Sequence, residues 1–191
     1  MSNVFDILRA DHREVEQMLA ALEGGTTKAD RAAPMRPEAR QQLTEKLVIE
    51  SSKHEVAEEQ YFWPTVRDRL PDGDRLADHA IDQETEAKEV LARLESLSPG
   101  DAEFSKLLST YIPAAREHIG YEEEVVWPSL QEVLTAAEAE DLGKDIAIAK
   151  EIAPTRPHPH IPPQPGVLKT AGPAVAAADK VRDAMSGRGD S

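Results

Sequence analysis

Cysteine is absent from all 191 residues, so disulfides, thiolate zinc sites, iron–sulfur clusters and cysteine nucleophiles are excluded. Any transition metal must be held by nitrogen and oxygen. Positive charge is scarce, with 22 Lys and Arg against 36 Asp and Glu and a formal net charge of -14. Such a surface repels phosphate backbones, and no Lys- or Arg-rich patch stands out against it, so nucleic acid is not expected as a partner. Long apolar runs are missing too. Charged residues interrupt every apolar segment well short of bilayer-spanning length, and the start MSNVFDILRADH lacks the basic stretch and apolar run of a targeting signal. No membrane association is expected, and the chain reads as a soluble cytoplasmic protein without an attached sensor or output domain. Hydrophobic residues make up 40%, enough for an ordinary core in one domain with a tail.

What the chain does have is helical periodicity. From a cap at Ser2 or Asn3, Phe5, Leu8, His12, Val15, Leu19 and Leu22 recur at steps of three and four, and Gly24-Gly25 stops the helix. His12 therefore lies inside an apolar stripe. A polar loop ending in Met35-Arg36-Pro37 leads to a second helix, where Leu43, Leu47, Ser51, His54, Glu58 and Tyr61 share one face. The turn Pro71-Asp72-Gly73-Asp74 opens a third helix from about Arg75 to Ser96, with His79 in phase with Val90 and Leu94. Ser98-Pro99-Gly100-Asp101 ends it. The fourth helix carries Phe104, Leu108, Tyr111, Ala115, His118, Glu122 and Val125 in one stripe, with a kink expected at Pro113. Pro64 and Pro128, each following a tryptophan, are expected to kink or end helices two and four at matching heights. Thr135 and Glu138 form a capping box for a shorter fifth helix, with Leu142, Ile146, Ala149 and Ile152 on one side.

Half of the 14 prolines fall between Pro154 and Pro173. Residues 154 to 173 thus read as an extended Pro-rich tail, followed by one weak helix over 174 to 186. The expected fold is all-α, with a helical domain at residues 1–153 and a flexible tail at 154–191.

One segment occurs twice. HEVAEEQYFWP at 54–64 and HIGYEEEVVWP at 118–128 share the spacing His-x-x-x-Glu-x-x-x-x-Trp-Pro, and the helix before each carries Asp-His, Asp11-His12 and Asp78-His79. Two similar helical hairpins facing each other imply a two-centre site with approximate two-fold symmetry. Residues four apart stack on one helical face, so each His-x-x-x-Glu delivers an imidazole and a carboxylate to one point in the core. His12, His54, Glu58, His79, His118 and Glu122 together give four imidazoles and two carboxylates. Six such donors are too many for one tetrahedral zinc but suit two first-row ions sharing bridging carboxylates and keeping open positions, iron being the natural candidate and zinc the lesser one. A single His on an apolar face is more often a hydrogen-bonded core residue. A buried Glu with neither partner nor metal is costly, however, and the whole pattern is repeated across four helices. Ferritin-like bundles use Glu-x-x-His pairs and more carboxylates, the opposite order.

The pattern of lone His, His-x-x-x-Glu, lone His and second His-x-x-x-Glu resembles the hemerythrin-like HHE cation-binding family. The resemblance covers roughly residues 1 to 153, and APTRPHP after helix five is similar to tails of bacterial members. It implies an up-down-up-down four-helix bundle around a non-haem di-iron centre. By that likeness His12 and His54 serve one iron, His79 and His118 the other, and Glu58 and Glu122 bridge. Oxygen-carrying members have a fifth histidine one turn from the lone ligand of helix three, whereas Arg75 and Gln83 flank His79 here. They also place an aspartate five residues after the last histidine, where this chain has Glu122 at four and Glu123 at five. These departures weigh against reversible oxygen carriage.

The coordination gap at His79 is open to water, to peroxide or nitric oxide, or to a carboxylate from Glu55, Glu59 or Glu86, although Glu55 and Glu59 also read as solvated neighbours of the ligands. Tyr61, Tyr111 and Tyr121 lie on or beside the ligand stripes and either pack or hydrogen-bond a bound oxygen species. Trp63 and Trp127 close one end of the bundle. His158 and His160 lie in a tail too flexible to organise a metal site. The expected function is a di-iron protein that binds or reacts with oxygen, hydrogen peroxide or nitric oxide as a sensor, scavenger or store. The alternatives are a redox enzyme with peroxidase- or catalase-like turnover and a metal-stabilised bundle for partner binding.

Overall fold

A computed structural model describes residues 2–24, 35–186 and 188. Gly25 and the polar loop before Met35 lie outside the described residues. Those described are mostly helical, with no strand among them, and no helix among them is long and apolar enough to cross a membrane.

Helix α1 (Val4–Leu22) begins at a capping box in which the Asn3 side chain accepts from the Asp6 N–H at 3.0 Å and the Asp6 carboxylate accepts from the Asn3 N–H at 3.2 Å. Its buried stripe is Val4, Phe5, Leu8, His12, Val15, Met18, Leu19 and Leu22. Helix α2 (Pro37–Ala57) packs on α1, and α4 (Gly73–Glu95) packs on α5 (Ala102–Tyr121), which gives the two hairpins. Contacts of α2 with α4 and of α1 with α5 join the hairpins into a helical bundle. Gly73 is required at the start of α4, because a Cβ there would stand 2.3 Å from the Val66 carbonyl oxygen.

The prolines after the two tryptophans neither end nor break their helices. Instead α2 passes through a π turn at Glu58–Phe62 into α3 (Trp63–Arg69), and α5 passes through a π turn at Glu122–Val126 into α6 (Trp127–Val133). Pro64 and Pro128 have no N–H to give to a carbonyl one turn back, so the ladder must loosen just before them. The N–H of Trp63 reaches back to the Glu58 carbonyl and that of Trp127 to the Glu122 carbonyl, five residues each, and each proline then occupies the first turn of a new α segment. Pro113 is likewise held inside α5.

Two apolar clusters form the core. One gathers Phe5, Leu8, Phe62, Trp63, Val66, Trp127 and Leu130 with residues of α7 (Ala136–Ile152). The other gathers Val15, Leu19, Leu47, Leu91, Leu94, Phe104 and Leu108. Between them each long helix carries polar residues, and this layer holds the site. Helix α7 starts at the Thr135–Glu138 capping box and packs on α1 and α2.

The C-terminal segment departs from the extended tail expected of it. Residues 154–164 are irregular, but α8 (Pro165–Ser186) begins nine residues earlier than the sequence suggests and packs on the π turn at Glu58–Phe62 and on α7. Pro165 occupies a first turn where its missing N–H has no partner to lose. Leu168 and Ala176 are buried. Ion pairs hold the segment down: Arg156 bonds Glu95 and, at 2.7 Å, Asp183, while Arg188 bonds Glu95 as well.

Candidate metal centre

His12 of α1, His54 of α2, Glu58 and Glu122 at the first residues of the two π turns, Glu84 of α4 and His118 of α5 converge in the polar layer. Their donor atoms fall into two groups, His12–His54–Glu58–Glu122 and Glu58–Glu84–His118–Glu122, each within 4.8 Å across. Glu58 and Glu122 belong to both groups. Shortest approaches are His12 Nε2 to Glu122 Oε2 at 3.1 Å, His54 Nε2 to Glu58 Oε2 at 3.1 Å and His118 Nε2 to Glu122 Oε1 at 2.9 Å. His12, His54, Glu58, Glu84 and Glu122 are buried. Among the described residues, His12 Nε2, both oxygens of Glu58, Glu84 Oε2, His118 Nε2 and both oxygens of Glu122 nonetheless lack a partner in hydrogen-bonding geometry. Buried polar atoms left so are costly, and seven on one point fit a set of metal donors. All are imidazole nitrogens or carboxylate oxygens, the donors that suit first-row divalent ions.

Each imidazole is oriented from behind. His12 Nδ1 faces Glu123 at 3.0 Å, His54 Nδ1 faces Asp11 at 3.2 Å and His118 Nδ1 faces Gln83 at 3.1 Å. An N–H donated outward by Nδ1 leaves the Nε2 lone pair aimed inward, the tautomer a ligand needs. Lys150 of α7 fixes Asp11 in turn. Trp63 donates its indole N–H to Glu84 at 2.5 Å, and Trp127 stacks on His12 with ring centroids 5.1 Å apart.

Electrostatics at the cluster follow from three carboxylates pressed together. Burial raises Glu58, with Glu122 as the next cause, and burial followed by Glu59 holds Glu84 well above the carboxylate range. Burial acts on Glu122 in the same direction, but His118 and His12 outweigh it and hold that group below its ordinary value. Burial opposes the charge on His54 and His118, yet Glu58 and Asp11 for the first, and Glu122 for the second, hold both above the ordinary histidine range. The cluster must therefore keep protons or take cations in their place.

Of the residues expected at the site, the structure brings together His12, His54, Glu58, His118 and Glu122, and it leaves His79 out. The His79 side chain is exposed, its ring edge-on to Tyr121 with centroids 4.6 Å apart. Glu84 takes the place expected of it. The five-residue step between them turns the helix by about 140°, so both cannot face the same core. A signal for Glu84 was present: His12 precedes Leu19 and Leu22 by seven and ten residues, and Glu84 precedes Leu91 and Leu94 by the same steps.

The neighbours also differ from expectation. Glu55 and Glu59 are buried rather than solvated, and Glu59 pairs with the buried Lys88. Glu86 is exposed. Tyr111 bonds Ser51 at 3.0 Å, Tyr121 donates to the Leu76 carbonyl at 3.2 Å, and Lys169 lies over the Tyr61 ring at 4.0 Å. His158 pairs with Asp179 at 2.9 Å.

The family model described as hemerythrin HHE cation-binding domain matches residues 3–130. An uncharacterized hemerythrin-like protein of Schizosaccharomyces pombe is 28% identical over 139 residues, 72% of this chain and 68% of the relative. A DNA nickase of Nostoc is 22% identical over 148 residues, and the chain spans only 39% of its length. The fold is similar to the crystal structure of a hemerythrin HHE cation-binding domain-containing protein from Mycobacterium kansasii, with a TM-score of 0.64, 22% identity, and coverage of 79% of this chain and 86% of that one.

Proposed function

This chain belongs to the hemerythrin HHE cation-binding family, and on that premise we propose that His12, His54, Glu58, Glu84, His118 and Glu122 form a non-haem di-iron centre inside an up-down-up-down four-helix bundle of α1, α2, α4 and α5. The observation that carries this reading is the pair of four-residue groups sharing Glu58 and Glu122. His12, His54, Glu58 and Glu122 would hold one ion, and Glu58, Glu84, His118 and Glu122 the other. Two iron ions held this way supply a change of oxidation state and open coordination positions for oxygen, hydrogen peroxide or nitric oxide.

The chain's own residues prepare that chemistry. Asp11, Glu123 and Gln83 fix the imidazoles, Trp63 fixes Glu84, and the apolar clusters on either side exclude bulk water. Glu84 in place of a fourth imidazole adds negative charge, which stabilises the ferric state and favours a reactive centre over a reversible carrier. Peroxide-consuming turnover is the second reading, favoured by that same carboxylate. Residues 1–153 are the metal-binding unit in this reading, the setting is cytoplasmic, and no nucleic acid or membrane is engaged. The nicking activity named for the longer Nostoc relative is not carried over, since a chain with a net charge of -14 repels phosphate backbones.

The test is elemental analysis with reactivity. Protein reconstituted with Fe²⁺ under anaerobic conditions should hold close to two irons per chain, about the number six such donors suit, and should consume hydrogen peroxide. Glu122→Ala should lose both properties and Glu124→Ala neither. One tetrahedral zinc per chain, with no iron taken up, would overturn the reading.

A further inference from the structure

A cavity of about 360 Å³ opens between α4 and α5 and ends at the cluster. Glu84 and His118 belong to its inner wall together with Glu55 and Tyr111, while Asp82, Glu86 and Glu117 form an exposed rim. Five of its lining side chains are carboxylates, and none is Lys or Arg. The opposite side of the cluster is built differently, with His12 covered by the ring of Trp127 and Phe5 packed against Trp127 in turn.

Two buried atoms in the inner wall point to what the cavity receives. Glu55 is 5% exposed and Glu84 1%, and the Oε2 of each has no hydrogen-bond partner among the described residues. The one phenol in the wall, Tyr111, is engaged with Ser51. In a wall that holds no Lys or Arg, a buried carboxylate oxygen without a donor is stabilised when a cation comes to it. Glu55 is outside both four-residue donor groups, so it suits a transfer position and not a resting one.

Resting on the metal-centre reading above, we propose that this cavity is the path by which a divalent cation reaches the Glu84–His118 side of the site. Asp82, Glu86 and Glu117 gather the ion at the rim, and Glu55 passes it inward to Glu84. A mouth lined by one sign of charge raises the local concentration of the opposite ion and hence its rate of arrival. Phosphate and other anions are turned away by the same carboxylates.

Rates of loading test the path, because they separate arrival from final affinity. Full-length protein stripped of metal is mixed with Co²⁺ alone in a stopped-flow instrument, uptake is followed by visible absorption, and the endpoint is measured by elemental analysis. Asp82→Asn, Glu86→Gln and Glu117→Gln combined should slow loading at low salt at least about tenfold and remove most of its salt dependence, with the wild-type endpoint reached. Glu55→Gln should slow it at every salt concentration. Ala114→Trp, which narrows the mouth, should slow it as well, with thermal melting checking that each variant is folded. Unchanged rates in the triple variant, with full loading, would overturn the path and leave the metal centre standing. Failure of the wild-type protein to take up Co²⁺ would overturn the metal centre and the path with it.

Discussion

Trp63 donates its indole N–H to Glu84 at 2.5 Å, whereas the indole N–H of Trp127, in the matching place of the other hairpin, has no partner among the described residues. The two tryptophans are therefore not equivalent. Trp63→Phe should release Glu84, weaken metal at the Glu84–His118 side by about 10- to 100-fold and cost roughly 1–3 kcal/mol of stability. Trp127→Phe removes an unsatisfied donor and should be much milder. Metal titrations and melting curves of both variants check this; equal effects would mean that the bond to Glu84 does not matter.

His79 and Glu84 make a second contrast. Glu84→Ala should reduce bound metal by about one ion per chain, because it removes a carboxylate from one donor group only. His79→Ala should leave the content unchanged, since that side chain is exposed outside both groups. Elemental analysis decides, and the reverse result would put the third-helix ligand back at His79.

Stability of the metal-free protein should fall as pH rises. Asp11 and Glu122 are held below their ordinary values, so what they contribute is complete above about pH 4.5. Glu55, Glu58 and Glu84 are held above theirs, and His54 and His118 above the histidine range, so the folded state keeps protons that the unfolded state has released. Stability present at low pH is then lost as pH climbs. Glu55, pushed up by burial to about 7, alone accounts for roughly 3 kcal/mol between the two values. Metal replaces these protons, binds more tightly at higher pH, and at a hundredfold excess over its dissociation constant should add about 3 kcal/mol. Melting temperatures at pH 5.5 and 8, with and without metal, test the sign; a metal-free protein more stable at pH 8 would refute it.

Arg156 should matter for the C-terminal segment and not for metal. Replacing it by Ala leaves Arg188 as the ion-pair partner of Glu95 and Asp183 and should cost about 2 kcal/mol, the scale of charged hydrogen bonds. No residue of α8 belongs to the donor groups, so metal content should be unchanged. Limited proteolysis of α8 together with elemental analysis separates the two effects.

Much of this site was legible because burial and chemistry agreed. His12 stands in an apolar stripe, and each His-x-x-x-Glu puts two donors on one helical face, so spacing alone identified five of the six converging residues. Glu84 was missed because the dipeptide Asp78-His79 copies Asp11-His12 in identity but not in register. The counterpart of Asp11-His12 in phase is Gln83-Glu84: Gln83 faces His118 as Asp11 faces His54. The π turns were not legible either, because proline announces a missing hydrogen bond without saying whether the helix will stop or widen. Burial of Glu59 depends on Lys88 arriving from another helix, and the docking of α8 depends on Arg156 and Arg188 meeting Glu95. Such meetings leave no trace in local periodicity.

The two π turns also set the angle at which each tryptophan meets the cluster. Each holds one residue more than an α-helix needs over the same span, and both begin at the glutamate of a His-x-x-x-Glu. Removing one residue from either turn would rotate everything after it by about 100° about the helix axis. Trp63 would then swing off Glu84, and Trp127 off the His12 ring. The widened turns are therefore what lets one helix supply a carboxylate to the cluster and, five residues on, an indole against it.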